Sequence, residues 1–237
     1  MATTSDTLAL LPFARRYARA LLGTQAAGDA VVARAIGMRL DDVPPQLALY
    51  AAITRLTAED GTAGAIPPLS RHLLLLTAVE ELSLADAAMA VGLDPAEADR
   101  RITFAREAVR SAVVTKVLII EDEPIIAMDL RMLVEDCGHT VIGVAATEAD
   151  AVRLAAEHSA GLILADINLG RGGNGINAVR QILTRMEVPV IFVTAYPEDL
   201  LTAEGLEPAF VMRKPFDRFM LAVFTYQAIS GGYVPLP

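Results

Sequence analysis

The sequence predicts two domains, an all-α domain over residues 1–113 and an α/β domain over residues 114–237. Three observations support this fold class. The length of 237 residues suits one or two domains, and 54% hydrophobic residues are enough to build folded cores. Apolar residues recur at helical spacing in the first half of the chain. After Lys116, short apolar runs alternate with helical patterns, which is typical of a parallel sheet covered on both faces.

The composition argues against several classes of protein. Aliphatic runs such as Leu73 to Leu76 are far shorter than the roughly 18 residues of a membrane span. No basic stretch precedes an apolar core at the N-terminus, so we expect no secretory signal. The single cysteine, Cys137, excludes an internal disulfide and a multi-cysteine zinc site. A reducing cytoplasm is the expected location.

The charge distribution argues against nucleic-acid binding. Residues 1–113 carry 13 acidic and 11 basic side chains, and residues 114–237 carry 16 acidic and 9 basic ones. Neither half has the positive field that attracts phosphates and supplies most non-specific affinity. We therefore expect neither DNA nor membrane partners.

Helical periodicity predicts four helices between Asp6 and Glu81. The first has an apolar face, and we expect three arginines to be turned away from it: Arg15, Arg16 and Arg19. Three further helices are expected to begin at Asp29, at the Pro44-Pro45 pair and after Ser70. The second of the four reaches about Leu40, and the last runs to Glu81. A polar stretch over 59–64 is predicted to link two lobes, 1–60 and 66–113.

The second lobe contains a helix-turn-helix pattern. Ser83 and Asp86 form a capping box, Gly92 stands where a short helix must stop, and Asp94-Pro95-Ala96-Glu97 begins a longer helix. A short helix, a tight turn and a longer helix is the arrangement of helix-turn-helix motifs. An ordinary helical hairpin fits the same pattern.

The second domain is predicted to contain five buried strands. They lie at 117–120, 141–144, 162–164, 190–193 and 210–212, and helical patterns occupy 124–136, 148–158, 175–186, 197–203 and a segment after Pro215. Ligands of such sheets bind beyond the carboxyl ends of the strands. The residues at those ends are therefore the candidate site.

Charged and hydroxyl side chains follow four of these strands: Glu121 and Asp122, Asp166, Thr194, and Lys214. Three carboxylates at one sheet edge repel one another unless a cation neutralises them, and oxygen ligands suit Mg²⁺. A cation, a hydroxyl and an ammonium around one aspartate can stabilise a transferring phosphoryl group. Asp166 is the predicted nucleophile.

At these residues the chain resembles response-regulator receiver domains over 116–230. The matching motifs are Ile120-Glu121-Asp122-Glu123, Ala165-Asp166-Ile167-Asn168, Val193-Thr194-Ala195 and Lys214-Pro215. The resemblance implies a flavodoxin-like sheet of order 2-1-3-4-5 and phosphorylation of Asp166 by a histidine kinase or phosphotransfer protein. It also implies Mg²⁺ held by Glu121 or Asp122, by Asp166 and by the Asn168 carbonyl.

One position departs from most receivers. Val211 stands three residues before the lysine, where receivers usually have a switch aromatic. Tyr196 follows the threonine by two residues, one fewer than in the Phe-x-Thr-Gly-x-Tyr subclass of receivers, which Phe192 to Tyr196 resembles. We therefore expect Tyr196 to report phosphorylation, the alternative being a residue that only lines the rim.

The helical half resembles regions two and four of extracytoplasmic-function sigma factors. Leu10 to Leu21 is similar to the start of region two, and Glu80 to Ala88 is similar to the helix-turn-helix of region four. Promoter melting needs aromatic and basic residues. The corresponding segment, 41–60, contains Tyr50 as its only aromatic residue and Arg55 as its only basic residue. The sigma-like half therefore lacks the residues that open DNA.

The predicted recognition helix also opposes DNA binding. Its start carries three carboxylates, which DNA phosphates repel: Asp94, Glu97 and Asp99. Two arginines, Arg100 and Arg101, follow them. A sigma-like half before a receiver resembles the PhyR-type response regulators of the bacterial general stress response. That resemblance implies that phosphorylation of Asp166 releases the sigma-like domain to sequester an anti-sigma factor of the NepR type, which frees the true sigma factor.

Two other functions fit parts of the sequence. A response regulator could bind promoter DNA through the helix-turn-helix at 83–110, with Arg100, Arg101, Arg106 and Arg110 on the DNA backbone. A catalytic flavodoxin-like enzyme is the third class, but the sequence offers no further nucleophile or cofactor motif. We therefore expect a binding protein rather than an enzyme.

Overall fold

The computed structural model describes residues 4–38, 40, 42–58, 66–110, 114–195 and 210–230, with the side chains of 4–9 and of Arg110 left aside. The predicted linker at 59–64, the predicted helix at 197–203 and Tyr196 lie outside the described residues. The described chain forms two compact units, a helical unit before residue 111 and an α/β unit after it. No helix in the described ranges is long and apolar enough to cross a membrane.

The helical unit contains, within the described residues, six helices. Their bounds are α1 Thr4–Leu22, α2 Gln25–Ile36, α3 Ala48–Thr57, α4 Pro68–Ala78, α5 Leu84–Val91 and α6 Pro95–Arg110. Each helix buries an apolar face against its neighbours, as the periodicity predicted. The all-α class predicted for this half is confirmed.

Two of the predicted helix caps are wrong. Thr24 caps α2, because its side chain accepts a hydrogen bond from the Ala27 N–H at 3.2 Å. Asp29 lies inside α2 and has another role. α4 begins at Pro68, a favourable first position because proline has no N–H to leave unpaired, so Ser70 lies inside that helix.

Three helix ends also differ from the prediction. α2 stops at Ile36, well before Leu40, and Gly37 is its C-cap residue. α3 begins only at Ala48, since the Pro44-Pro45 pair leads into a turn. α4 ends at Ala78, and the chain turns at Glu81, whose φ of 55° is incompatible with a continuing helix.

The expectation that the arginines of α1 face solvent is wrong. Arg19 is fully buried, and its guanidinium donates to Asp29 Oδ1 at 2.7 Å. Arg15 donates to the same carboxylate at 3.0 Å. Gly28 makes room for this arrangement, because a Cβ there would lie 2.6 Å from Arg19 Cγ. Asp29 therefore joins α2 to α1.

Arg16, also on α1, is buried against the second lobe. Its guanidinium donates two hydrogen bonds to the Glu80 carboxylate, at 3.0 and 3.1 Å, and one to the Val79 carbonyl at 2.7 Å. The Tyr50 hydroxyl of α3 donates to Glu80 at 3.0 Å. We call Arg16, Glu80 and Tyr50 the lobe clamp, since these residues join the first lobe to the end of α4.

A second buried polar cluster lies beside the lobe clamp. The Tyr17 hydroxyl is 2.6 Å from His72 Nδ1 and 3.1 Å from Thr54 Oγ1. His72 is 1% exposed. Burial disfavours its charged form and lowers the pKa of His72 from 6.5 to about 4. The two lobes are therefore joined by polar contacts as well as by apolar packing.

The helix-turn-helix capping signals are confirmed. Ser83 Oγ accepts from the Asp86 N–H at 3.1 Å, and Gly92 ends α5 in the left-handed conformation with φ 76°. Asp94 Oδ1 accepts from two N–H groups in the first turn of α6, each at 3.0 Å. Local side-chain and backbone chemistry sets these boundaries, which is why the sequence predicted them.

The α/β unit is a parallel five-stranded sheet of order β2-β1-β3-β4-β5. The order confirms the flavodoxin-like topology that the receiver resemblance implied. Its strands are β1 Lys116–Ile120, β2 Thr140–Ala145, β3 Leu162–Asp166, β4 Val190–Thr194 and β5 Val211–Arg213. The described helices are α7 Pro124–Asp136, α8 Glu148–Glu157, α9 Gly175–Leu183 and α10 Arg218–Ser230.

β1, β3 and β4 are largely buried because helices pack on the sheet, whereas β2 at the edge is mostly half-buried, so the prediction that all five strands are buried is wrong for β2. α8 and α9 pack together, and so do α7 and α10. The core against α8 and α9 contains Leu118 and Ile120 from β1 and Phe192 from β4. This packing fixes the carboxyl ends of β1 and β3 side by side, where the candidate site lies.

Candidate phosphorylation site

The sheet brings the predicted carboxylates together at one edge. Ile120 pairs with Ala165, so the residues that follow these two positions are neighbours. Glu121, Asp122 and Asp166 each place a carboxylate oxygen within 4.8 Å of the others. Parallel pairing of two adjacent strands is therefore sufficient to assemble an acidic cluster.

Lys214, the first residue after β5, extends its side chain into this cluster. Its Nζ lies 2.8 Å from Glu121 Oε2 and 3.3 Å from Asp166 Oδ2. Three ionised carboxylates and one ammonium carry a net charge of −2. One lysine therefore leaves negative charge at the edge of the sheet uncompensated.

Glu121 is the most deeply buried member, at 1% exposure. Burial raises the pKa of its carboxyl, the Lys214 ammonium opposes that shift, and the nearby Asp166 charge adds to it. Glu121 Oε1 also accepts a hydrogen bond from the Glu123 N–H at 3.3 Å. Its contacts to Lys214 and to the backbone fix its orientation.

Asp166 lies at the end of β3 and is 9% exposed. Its Oδ1 accepts a hydrogen bond from the Ile167 N–H at 2.8 Å. Behind it, α9 begins at Gly175, where a Cβ would stand 1.7 Å from the Asp166 carbonyl oxygen. Only glycine permits this approach. Gly175 was not among the predicted site residues, although the glycine-rich run before α9 was a visible signal.

The other predicted residues have different placements. Thr194 ends β4 and is buried, and its carbonyl accepts from the Lys214 N–H at 2.7 Å. Asn168 is exposed; its side-chain oxygen accepts from the Gly170 N–H at 3.0 Å, and its backbone bridges to Asn174. Tyr196 lies outside the described residues, so its role as the switch aromatic stays a prediction.

The donor chemistry of the cluster fits a hard divalent cation. The cluster offers carboxylate oxygens, and two of its members are only partly buried. Hard cations bind oxygen ligands and retain water, so a partly open acidic edge suits them. The same cation would relieve the repulsion that Lys214 leaves in place.

Comparison with known proteins decides the family. A model of the response regulator receiver domain matches residues 117–222, and a model of the Sigma2 domain of PhyR matches residues 8–53. The phyllosphere-induced regulator PhyR of Methylorubrum extorquens is 40% identical, over 97% of this chain and 95% of the relative. This chain belongs to the PhyR family.

Solved structures of the PhyR family agree with both units. PhyR from Brucella abortus matches with a TM-score of 0.88 and 38% identity, covering 97% of this chain and 94% of that one. The anti-anti-sigma factor PhyR from Bartonella quintana matches with a TM-score of 0.86 and 35% identity, covering 95% of each chain. The PhyR resemblance predicted from the sequence is confirmed.

Proposed function

We propose that this PhyR-family chain is an anti-anti-sigma factor that phosphorylation of Asp166 activates. In this proposal residues 1–113 are the sigma-factor-like domain and residues 114–237 the receiver. The observation that carries it is the acidic cluster with Lys214, at the carboxyl ends of a receiver sheet. Family membership over 97% of the chain supports the anti-sigma partner.

Charge and position account for phosphoryl transfer. Glu121 or Asp122, Asp166 and the Asn168 carbonyl would hold Mg²⁺, which neutralises charge on the transferring phosphoryl group. An Asp166 oxygen forms a bond to the phosphorus of a phosphohistidine. The phosphorus–nitrogen bond breaks, and its electron pair returns to the donor's imidazole. Lys214 and the Thr194 hydroxyl stabilise the phosphorylated state.

The helix-turn-helix supports a protein partner rather than DNA. Arg100 and Arg101 both donate to Glu97, each with a shortest contact of 2.6 Å, so the first arginines of α6 already have an acidic partner. Phosphate contacts would have to replace those ion pairs beside the remaining carboxylates. We infer that the helical unit acts by sequestering an anti-sigma factor of the NepR type, in the cytoplasm and without catalysis of its own.

A capture experiment tests this function. The full chain is incubated with a purified NepR-type protein, Mg²⁺ and acetyl phosphate, and co-purification is compared with and without the phosphoryl donor. We expect capture to require the donor and to be lost in Asp166→Asn. Equal capture by this variant and the wild type would refute the proposal.

A promoter gel shift at low and at physiological salt separates the DNA-binding alternative. We expect no shift from the phosphorylated chain at physiological salt. A shift that depends on acetyl phosphate and disappears in Arg100→Ala/Arg101→Ala would instead establish a DNA-binding regulator.

Thermodynamic linkage gives a second test. A change from about 1:99 to 99:1 between two states takes roughly 5.5 kcal/mol, which phosphate and partner can share. Coupling between two ligands is reciprocal. Adding the NepR-type protein should therefore raise steady-state phosphorylation of Asp166, measured on a Phos-tag gel. Unchanged phosphorylation would contradict the coupled scheme.

Tyr196 is the proposed reporter of the phosphorylated state. Tyr196→Ala should accept phosphate from acetyl phosphate at close to the wild-type rate but capture less anti-sigma factor. Tyr196→Phe keeps the ring and serves as the matched control. Full capture by Tyr196→Ala would exclude this residue as the switch.

A further inference from the structure

Glu148 makes a contact that the proposed phosphorylation chemistry does not yet use. It is the first residue of α8, is half-buried, and points its carboxylate at the loop between β3 and α9. Glu148 Oε1 accepts a hydrogen bond from the Asn174 N–H at 2.6 Å. The bond joins residues 26 positions apart. A short, charge-assisted bond of this kind is stronger than a neutral one.

Asn174 connects this carboxylate to the site. Its backbone bridges to Asn168, the residue two positions after Asp166. Its side chain caps α9 by accepting from the Ile176 N–H at 2.8 Å. A displacement of Asn174 would therefore shift Asn168, whose carbonyl is the proposed Mg²⁺ ligand.

One side chain of the loop between the two asparagines, Leu169, is buried in the core, and most of the other loop residues are glycines. Gly170, Gly172 and Gly173 lie between the two asparagines, and glycine loses more conformational freedom on ordering than any other residue. A Cβ at Gly173 would lie 2.4 Å from Glu148 Oε1, and one at Gly172 would lie 2.4 Å from the Ala146 carbonyl oxygen. The loop backbone thus rests directly on the turn that carries Glu148.

We propose that Glu148 is a positioning residue for the phosphorylation site: its carboxylate holds the β3–α9 loop so that Asn168 presents its carbonyl to Mg²⁺ beside Asp166. The inference rests on the proposed phosphorylation of Asp166. Glu148 touches neither the phosphoryl group nor the cation and acts through Asn174. Groups that orient metal ligands typically change metal affinity 10- to 100-fold when removed.

Three substitutions separate the reach of the side chain from its charge. Glu148→Gln keeps an acceptor oxygen within reach of the Asn174 N–H and loses the charge. Glu148→Asp keeps the charge and shortens the side chain by one methylene. Glu148→Ala loses both. Asp150→Ala is the matched control, because Asp150 lies in the same first turn but contacts Thr147 and Arg153 rather than the loop.

The readouts are the Mg²⁺ dissociation constant, from amide NMR shifts on titration with MgCl₂ alone, and the rate of phosphorylation by acetyl phosphate. We expect Glu148→Asp and Glu148→Ala to weaken Mg²⁺ binding about tenfold. Glu148→Gln should stay within about threefold of the wild type, because its hydrogen bond survives. Asp150→Ala should leave Mg²⁺ affinity unchanged. At saturating Mg²⁺ the phosphorylation rate of Glu148→Asp should return to near the wild-type value.

The NMR spectra themselves show whether each variant is folded, and the Gln and Asp substitutions keep the test valid if Ala unfolds the loop. Wild-type Mg²⁺ affinity in Glu148→Asp would overturn the proposal, as would a Gln variant as weak as the Asp variant. The proposed function fails separately, if the wild type is not phosphorylated on Asp166.

Discussion

The two units each bury a glutamate side chain beside a cationic side chain, but the charges that surround the two glutamates differ. In the helical unit, Glu80 receives two hydrogen bonds from Arg16 and one from Tyr50. In the receiver, Glu121 shares the Lys214 ammonium with Asp166. Burial raises the pKa of both glutamates, and the cation opposes the shift in each case.

The difference is one of charge balance. Arg16 and Glu80 neutralise each other, so the lobe clamp is complete without a ligand. The receiver cluster has three carboxylates and one lysine and is therefore incomplete. A buried pair that is satisfied by its own chain serves structure, whereas an unsatisfied cluster marks a site that another charged species completes.

Breaking the lobe clamp should have the largest effect on stability. Arg16→Met leaves Glu80 buried without its cation, and such losses cost about 4 kcal/mol. We expect the free energy of unfolding to decrease by this amount. Urea titration measures it, with the amide NMR signals of α4 as the probe. The double variant Arg16→Met/Glu80→Met removes both charges and should be more stable than the single one. A double variant less stable than Arg16→Met would contradict this view of the pair.

His72 should make the helical unit sensitive to acid. Its pKa is lowered to about 4 in the folded state, so the unfolded chain takes up the proton first as the pH falls below 6.5. Stability is retained above that pH and should decrease by about 3 kcal/mol down to pH 4. His72→Asn removes the titrating ring. Urea titrations from pH 6.5 to pH 4 give the free energy of unfolding of both proteins. The difference between the wild type and the variant should decrease by that amount, and a difference that does not change with pH would contradict the prediction.

Removing a charge from the receiver cluster should increase stability instead of decreasing it. Asp122→Asn relieves repulsion among the three carboxylates and should stabilise the Mg²⁺-free receiver by about 1 kcal/mol, while weakening Mg²⁺ binding. Thermal unfolding with EDTA and with MgCl₂ measures both effects. Destabilisation in EDTA would show that the cluster is already balanced.

The smallest expected effects are those of matched helix caps. Ser83→Ala in the helical unit and Thr147→Ala in the receiver each remove a side-chain acceptor from an N-terminal N–H. Each should cost about 1 kcal/mol. Amide exchange in α5 and α8 should rise only in the unit that carries the substitution. Exchange that rises in neither helix would mean that these caps contribute no local stability.

The sequence was most informative where structure depends on neighbours along the chain, although it misplaced the caps of α2 and α4. Strand runs, the Ser83 capping box and the residues after each strand follow from local periodicity and from the geometry of parallel sheets. It misled where a charge finds a distant partner. Arg16 and Glu80 are 64 residues apart, and no local pattern distinguishes a buried arginine from a solvated one. Glu148 and Asn174 escaped notice for the same reason.

The contact behind Asp166 has a mechanical consequence. The carbonyl oxygen of Asp166 and the α-carbon of Gly175 are packed without slack, since even one methyl group would overlap that oxygen. The Gly175 N–H also donates to the Ile167 carbonyl at 2.8 Å, so a displacement of the backbone at the end of β3 would move the start of α9.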